Sequence, residues 1–257
     1  MSGRAFLIVL PTYNERENLE RIVDRILLAS DDVDVLVIDD SSPDGTGQVA
    51  RALVERSDRV HLLERPEKLG LGSAYLLGLQ HSLSNGYRGV FTMDADNSHD
   101  PAVLPDMCAA LDEADLVIGS RYVVGGGTDQ KVARRVNSAV ANVLARNVLD
   151  LHTLDCTSGY RVYSTAMLRR MPLAQMRSRG YSMLVELLCT VVDLDGRVAE
   201  VPISFRDRSH GRSKIGMQEI WESLRTIARL RRGRFGKART RIANYIYRIL
   251  PIKNKER

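Results

Sequence analysis

The chain has 257 residues, of which 44% are hydrophobic and 27% are charged, a composition typical of a globular protein with a sizeable core. Its three cysteines are too few and too scattered for a disulfide framework or a zinc site, so we expect reduced thiols. No segment approaches the ~20 apolar residues of a membrane helix, and the short apolar run at residues 5–10 predicts neither a signal peptide nor an anchor.

The formal net charge of +5 hides an uneven distribution. Residues 205–257 contain 16 Lys and Arg against 4 Asp and Glu, whereas the preceding 204 residues contain 21 against 28. A basic tail on an acidic body predicts that the tail meets a polyanion, either an anionic lipid surface or nucleic acid.

Alternating strands and helices are predicted over the first two-thirds of the chain. Short continuous apolar runs, typical of buried strands, alternate with segments whose apolar residues recur at helical spacing, and Asn14 offers a cap for the first helix. The predicted strands are AFLIVL (5–10), VDVLVIDD (33–40), VHLLER (60–65), RGVFTMDAD (88–96) and DLVIGSRY (115–122). This order predicts an α/β fold with a mostly parallel sheet and helices on both faces.

The last third of the chain is less regular. Its predicted elements are a helix over 132–149, a strand or loop at 157–164, a helix over 183–196, a strand over 198–208 and one or two basic amphipathic helices within 216–251. The predicted domains are therefore a globular body, residues 1–215, and a helical tail, residues 216–257.

Polar motifs follow three of the predicted strands. PTYNE (11–15) follows the first strand, Asp39 and Asp40 end the second, and Asp94-Ala95-Asp96 ends the fourth. Because ligands bind at the carboxyl ends of parallel strands, we expect the three motifs to converge on one crevice. The Asp39-Asp40 pair taken alone could equally cap the next helix.

Asp94 and Asp96 are the strongest chemical signal. Two carboxylates that flank one small residue can hold a hard divalent cation against a diphosphate, since Mg²⁺ favours one or two carboxylates plus phosphate oxygens. The same chemistry needs cations, and Arg suits forked contacts to phosphate. The candidates are Arg121, Arg134, Arg135, Arg161, Arg206, Arg208, Arg212 and Lys214. Any one of them could instead be a solvated basic side chain.

Two weaker signals lie beside these motifs. The glycines of KLGLG (68–72) permit close approach of a ligand to the backbone. His99 could be a ligand or a base, or it could simply structure its loop.

The motifs resemble those of the polyprenol- and dolichol-phosphate mannosyltransferases, a branch of glycosyltransferase family 2 with the GT-A fold. The similar segments, in chain order over roughly residues 5–220, are PTYNERENL, VIDDSSPDGTG, KLGLGSAY, MDADNSH, GSRY, TSGYRVY and EVPISFRDR-HGRSK. PTYNE and the DxD motif are general to family 2, whereas SPDGT, DADxSH and FxxRxxGxSK are more specific. Two segments depart from the pattern: GYSMLVELL lacks a common Phe-Gln pair, and Asp155-Cys156 before TSGYRVY is unusual.

The resemblance implies a role for each motif. Contacts to the nucleotide are implied for Pro11, Tyr13, Glu15, Val37 and Asp39. The diphosphate would be held by Asp94, Ala95 and Asp96 through Mg²⁺ or Mn²⁺, and donor and phosphate contacts are implied for Arg121, Arg208 and Lys214. The lipid phosphate would meet Arg121, Arg134, Arg135 and Ser138, so that the catalytic set is Asp94, Asp96 and Arg121.

The implied reaction is the inverting transfer of mannose from GDP-mannose to a polyprenyl monophosphate. It would take place in the cytoplasm at a membrane surface, which the basic tail reaches with Lys and Arg on the lipid head groups. The tail could instead pack on the acidic body.

Two other functions are compatible with parts of the sequence. Another family 2 transferase would use a different nucleotide-sugar, such as UDP-glucose, or a non-lipid acceptor. A nucleic-acid-binding protein acting through the tail is disfavoured, because the body is acidic, aromatic residues make up only 5% of the chain and no binding motif is present. We therefore expect no nucleic-acid partner.

Overall fold

A computed structural model describes residues 3–129, 132–178, 180–206 and 217–234. The strands are β1 (Phe6–Thr12), β2 (Val33–Asp39), β3 (Val60–Glu64), β4 (Gly89–Thr92), β5 (Leu116–Ser120), β6 (Gly127–Thr128), β7 (Arg161–Ser164), β8 (Val198–Pro202) and β9 (Ser204–Phe205). The helices are α1 (Arg16–Ala29), α2 (Thr46–Arg56), α3 (Leu71–Ser84), α4 (Leu104–Ala110), α5 (Val132–Leu149), α6 (Thr165–Arg170), α7 (Ser182–Asp193) and α8 (Met217–Arg234).

Seven strands form one sheet in the order β3-β2-β1-β4-β7-β5-β8. All neighbouring pairs are parallel except those of β7, which runs antiparallel to both β4 and β5. β6 and β9 pair separately as a short parallel ribbon. The predicted mostly parallel α/β sheet is confirmed, and the segment predicted as strand or loop supplies its one reversed strand.

Both faces of the sheet are buried. Leu7 and Val9 of β1 lie in a core cluster with residues of α3 and α7, whereas Ile8 and Leu10 lie in a second cluster with residues of α1 and α4. Successive side chains of a strand point to opposite faces, so a strand covered on both faces has to be apolar throughout. The three cysteines are free thiols, as expected.

The prediction that Asn14 caps the first helix is wrong. Helix α1 begins at Arg16 with Glu15 as its N-cap residue, and Asn14 has a positive φ of 59°. The backbone N–H of Asn14 donates to Ser42 Oγ at 3.0 Å. Asn14 therefore turns the chain towards the loop after β2, a conformation that Asn tolerates better than most residues.

Helix α8 packs on the body of the protein. Ile227 is only 8% exposed and belongs to the same core cluster as α3 and α7. Arg229 lies 3.2 Å from Glu186, a buried carboxylate that also accepts the backbone N–H groups of Arg177 and Ser178. This part of the basic tail thus has an inner face on the body, while residues 235–257 lie outside the described residues. None of the helices in the described ranges is both long and apolar enough to cross a bilayer.

Gly78 sets the approach of α3 to the sheet. A Cβ atom at this position would lie 2.4 Å from Val9 Cγ1 and 2.5 Å from Val9 Cγ2. We predict that Gly78→Ala lowers the free energy of unfolding by about 1–3 kcal/mol, because overpacking outweighs the better helix propensity of Ala. Urea denaturation measures the loss. Val9→Ala in the same chain should relieve the clash, so the double variant should lose less than the sum of the single losses; additive losses would contradict the packing argument.

Candidate active site

The sheet brings the three polar motifs to one edge. β2, β1 and β4 are adjacent and parallel, so Asp39, Thr12 and Thr92 end neighbouring strands. Thr12 Oγ1 donates to Asp39 Oδ1 at 3.0 Å, which links the first two motifs directly. This register places the three motifs at the same edge of the sheet.

Asp39 and Asp40 organise two different loops. Asp39 is 2% exposed and accepts from the backbone N–H of Ser42 at 3.0 Å and from Ser42 Oγ at 2.6 Å, which shapes the turn after β2. Asp40 forms a buried ion pair with Arg65 and accepts the backbone N–H groups of Leu69 and Gly70 at 3.1 and 3.0 Å. The alternative role of the pair as a helix cap is not observed.

A different aspartate lies at the start of α2. Asp44 Oδ1 accepts from the backbone N–H of Thr46 at 3.0 Å and from Thr46 Oγ1 at 2.6 Å. Burial raises the pKa of Asp44, but hydrogen bonds from Thr46 and Arg16 outweigh burial and leave it lowered. Asp44 therefore stays ionised where the loop after β2 enters the helix.

The predicted nucleotide contacts fall into two groups. Tyr13 and Glu15 follow β1 at this edge of the sheet: Lys68 Nζ is 4.0 Å from the centre of the Tyr13 ring, and the Glu15 N–H donates to Thr46 Oγ1 at 3.0 Å. Pro11 is the second-last residue of β1 and is partly buried. Val37 is 0% exposed and belongs to the core. A side-chain contact between Val37 and a nucleotide would require the core to move.

The two carboxylates of the DxD motif are held from different sides. Asp94 Oδ1 accepts from the hydroxyl of the buried Tyr75 at 2.9 Å, and Asp96 Oδ1 accepts from the backbone N–H and hydroxyl of Ser98 at 3.0 and 2.5 Å. Burial and the charge of Asp94 raise the pKa of Tyr75 well above its usual value, so its hydroxyl stays a donor. Ala95 between them is buried.

This donor set fits a hard divalent cation that is shared with a substrate. Within the described ranges, no group of three or more His, Cys, Asp and Glu side chains forms a cage for a metal. Mg²⁺ is commonly bound by one or two carboxylates together with water and substrate phosphates. Asp94 and Asp96 can supply those carboxylates, and a diphosphate would supply the remaining oxygens.

His99 structures the loop after the DxD motif. It is 1% exposed, its Nδ1 accepts the backbone N–H of Asp94 at 3.2 Å, and its ring stacks on Tyr160 with a centroid distance of 5.0 Å. Burial lowers the pKa of His99, more than Asp94 and Asp96 raise it. These contacts match a structural role for His99 in its loop.

The structure brings Arg121 and Ser138 together. Arg121 follows β5, and its Nη1 donates to Ser138 Oγ on α5 at 3.2 Å. The guanidinium is only 8% exposed, because it also pairs with Asp155 at 2.8 Å. Sequence reasoning gave Asp155 no role, and its one signal was the unusual Asp155-Cys156 pair.

The remaining basic candidates differ in outcome. The proposed phosphate contact of Arg161 is wrong: its guanidinium is 0% exposed and donates to the carbonyl oxygens of Cys156, Ser158 and Leu184 in the core. Arg206 is exposed and lies 3.5 Å from Asp100. Arg134 and Arg135 lie near the start of α5, the helix that carries Ser138. Arg208, Arg212 and Lys214 lie outside the described residues.

Residues 7–171 match the family model described as glycosyl transferase family 2. The chain belongs to this family. It is 43% identical over 237 residues to the polyprenol monophosphomannose synthase of Mycolicibacterium smegmatis, covering 91% of this chain and 89% of the relative. It is 40% identical over 224 residues to the undecaprenyl-phosphate mannosyltransferase of Micrococcus luteus, covering 87% and 92%.

Solved structures of glucosyl-3-phosphoglycerate synthase from Mycobacterium tuberculosis have a similar fold. The complex with phosphoglyceric acid superposes with a TM-score of 0.65 at 24% identity, over 90% of this chain and 81% of that one. A complex with Mn²⁺, UDP and glucosyl-3-phosphoglycerate gives 0.64 over the same shares. The family match and the sheet topology together make the protein a glycosyltransferase with a GT-A fold.

Asp40 should control the loop over residues 68–72. Asp40→Asn removes the charge that pairs with the buried Arg65 and should lower the free energy of unfolding by about 3–5 kcal/mol. Trypsin should then cleave at Lys68 faster than in the unmodified enzyme. Asp24→Asn, which removes the exposed ion pair with Arg56, is the matched control and should cost no more than about 1 kcal/mol. Equal losses in the two variants would refute this role.

Proposed function

We propose that this glycosyltransferase moves mannose from GDP-mannose to a polyprenyl monophosphate, with Mg²⁺ or Mn²⁺ at Asp94 and Asp96. One observation carries the proposal: the two relatives at 43% and 40% identity, aligned over 91% and 87% of the chain, are both named for mannose transfer to a polyprenyl phosphate. The alignments extend well beyond the family match, which ends at residue 171.

The donor would lie along the edge formed by β2, β1 and β4. Pro11, Tyr13, Glu15 and Asp39 are the proposed nucleotide contacts, and the buried Val37 would support Asp39 of the same strand from within the core. Asp94, Ala95 and Asp96 would face the diphosphate, and Arg208 and Lys214 would add cationic contacts. A bound cation would offset the charge that develops on the leaving nucleoside diphosphate.

The acceptor would approach from the side of α5. Arg121 and Ser138 already share a hydrogen bond there, and Arg134 and Arg135 belong to the same helix. A phosphate monoester has a second pKa of about 6, so it is largely ionised at neutral pH and needs no strong base. His99 is buried, its pKa is lowered, and its Nδ1 already accepts a hydrogen bond from Asp94. These properties agree with a reaction that depends on positioning and charge stabilisation and not on a histidine base. One in-line displacement would invert the anomeric centre.

The first experiment supplies labelled GDP-mannose, a short polyprenyl phosphate in detergent and either Mn²⁺ or Mg²⁺. We expect label in the organic phase, and we expect EDTA to abolish it. Asp96→Ala should reduce turnover by at least ~100-fold in a protein that still folds, because it removes a ligand at the leaving diphosphate. Asp106→Ala, at an exposed position of α4, is the matched control and should remain fully active.

Other outcomes would redirect the proposal. Undiminished turnover by purified Asp96→Ala would remove the metal assignment. Label that stays in the aqueous phase, while GDP-mannose still binds in the presence of metal, would move the acceptor to a non-lipid molecule. Transfer from UDP-glucose in place of GDP-mannose would change the donor.

We propose further that the protein works at the cytosolic face of a membrane and that residues 216–257 form the membrane-contacting unit. The outer face of α8 supports this: Leu224 is 39% exposed, and Arg225 and Arg232 are exposed beside it. Residues 235–257 add seven Lys and Arg against one Glu. Basic residues that flank apolar ones are typical of segments that lie on an anionic bilayer.

A chain that ends at Arg234 tests the tail. This truncation keeps α8, so we expect its melting temperature and its hydrolysis of the donor to stay unchanged. Binding to vesicles that contain phosphatidylserine should fall, since each basic residue near such a surface contributes about 1 kcal/mol. Vesicles of phosphatidylcholine alone are the control. Equal binding of both chains to the anionic vesicles would contradict the membrane role, and a gel shift with duplex DNA at physiological salt would favour a nucleic-acid partner instead.

A further inference from the structure

Asp155 is a 0% exposed carboxylate to which the proposed reaction assigns no task. Its Oδ2 accepts from the backbone N–H and Nε of Arg121 at 3.1 and 2.8 Å. Its Oδ1 accepts from Arg121 Nη2 at 2.9 Å and from the backbone N–H groups of Thr157 and Ser158 at 3.2 and 3.0 Å. The carboxylate thus makes a bidentate contact with the guanidinium, and it also accepts hydrogen bonds from the backbone of its own loop.

A second layer of polar groups holds Asp155 itself. Glu200 on β8 accepts the backbone N–H groups of Leu154 and Asp155 at 2.7 and 2.9 Å. Asn142 on α5 accepts the backbone N–H of Cys156 at 2.7 Å and donates to the carbonyl of Leu154. The loop that carries Asp155 is therefore fixed by α5, the helix that precedes it, and by β8, a strand about 45 positions further along the chain.

These contacts leave Arg121 with one edge for a substrate. An Arg side chain has five N–H donors in a rigid, planar fork. Nε and Nη2 face Asp155, and Nη2 also donates to Thr157 Oγ1 at 2.8 Å. The rings of Tyr122 and Phe205 lie 5.3 and 5.5 Å from the guanidinium carbon. Within the part of the chain that the structure describes, the hydrogen-bond partner of Nη1 is Ser138 Oγ, at 3.2 Å.

We propose that Asp155 is a positioning residue: it locks the guanidinium of Arg121 so that its Nη1 edge, beside Ser138, is the edge that meets the acceptor phosphate. The proposal rests on the proposed function in that it takes a lipid phosphate as the acceptor. Glu200 and Asn142 fix the direction of the lock. Arg121 then acts through an oriented N–H group, because its charge is already balanced by Asp155 before the acceptor arrives.

The electrostatics of the pair agree with a permanent lock. Burial raises the pKa of Asp155, but hydrogen bonds and charge from Arg121 outweigh burial and leave the pKa lowered. Burial lowers the pKa of Arg121, and Asp155 more than compensates, so this pKa is raised. Both groups therefore keep their charge throughout the physiological range.

Asp155→Asn tests the lock, because it keeps the shape of the side chain and removes its charge. The readouts are calorimetric binding of a short, water-soluble isoprenyl monophosphate and of the nucleotide-sugar, together with the KM for each substrate. We expect acceptor binding to weaken by roughly tenfold, equivalent to about 1.4 kcal/mol, while donor binding changes less than about twofold. The matched control is Asp34→Asn, which alters a 0% exposed aspartate paired with Arg4 and Tyr87 at the opposite end of β2. It should lower the melting temperature and leave both affinities unchanged.

A double-variant cycle separates positioning from general destabilisation. If Asp155 acts through Arg121, Asp155→Asn should change acceptor affinity little in an Arg121→Ala background. Should Asp155→Asn fail to fold, Thr157→Val removes one acceptor of Nη2, keeps the ion pair, and should weaken acceptor binding by roughly threefold. Unchanged acceptor binding by the folded variants, or equal losses in both backgrounds, overturns the positioning role alone. A wild-type protein that neither binds nor uses the lipid phosphate overturns the proposed acceptor and this inference with it.

Discussion

The parallel pairing of β2, β1 and β4 is the constraint on which the rest of the site depends. Because these strands run in the same direction, everything that follows them leaves the sheet at the same edge. A reversal of any one of them would carry its motif to the far end of the molecule. Helices cover both faces of this sheet. Strands that are apolar throughout are stable only in a sheet that is buried on both sides.

Buried carboxylates then hold the loops around the sheet in place. Asp39, Asp40, Asp155, Glu186 and Glu200 are all nearly inaccessible to water, and each accepts hydrogen bonds from backbone N–H groups of a loop. An ionised group out of water is tolerated only when donors or an opposite charge replace its hydration. Each carboxylate therefore fixes the backbone of a loop by polar contacts, on a sheet that is itself apolar.

Particular residues show which features of the structure could be predicted from the sequence. The run AFLIVL predicted a strand buried on both faces, and the helix over 132–149 was found with the same ends, because apolar periodicity reports local structure directly. The helix predicted over 183–196 runs from Ser182 to Asp193, and its Glu186 is balanced by Arg229 of α8, a partner no local pattern shows. The prediction that Arg161 contacts phosphate was wrong because no local pattern shows its partners either. An arginine in a polar motif has the same sequence signature whether it binds substrate oxygens or buried carbonyls.

The sequence by itself determined the order of strands and helices, the position of the carboxylates at strand ends and the separation of a basic tail from an acidic body. These features depend on residues that are close together in the chain. Only the tertiary structure decided that Asp39 and Asp40 serve different loops, that α8 packs on the body, and that Asp155 holds Arg121. The Asp155–Arg121 hydrogen bonds span 34 positions of the chain, and such pairs form only after the sheet has brought their elements together.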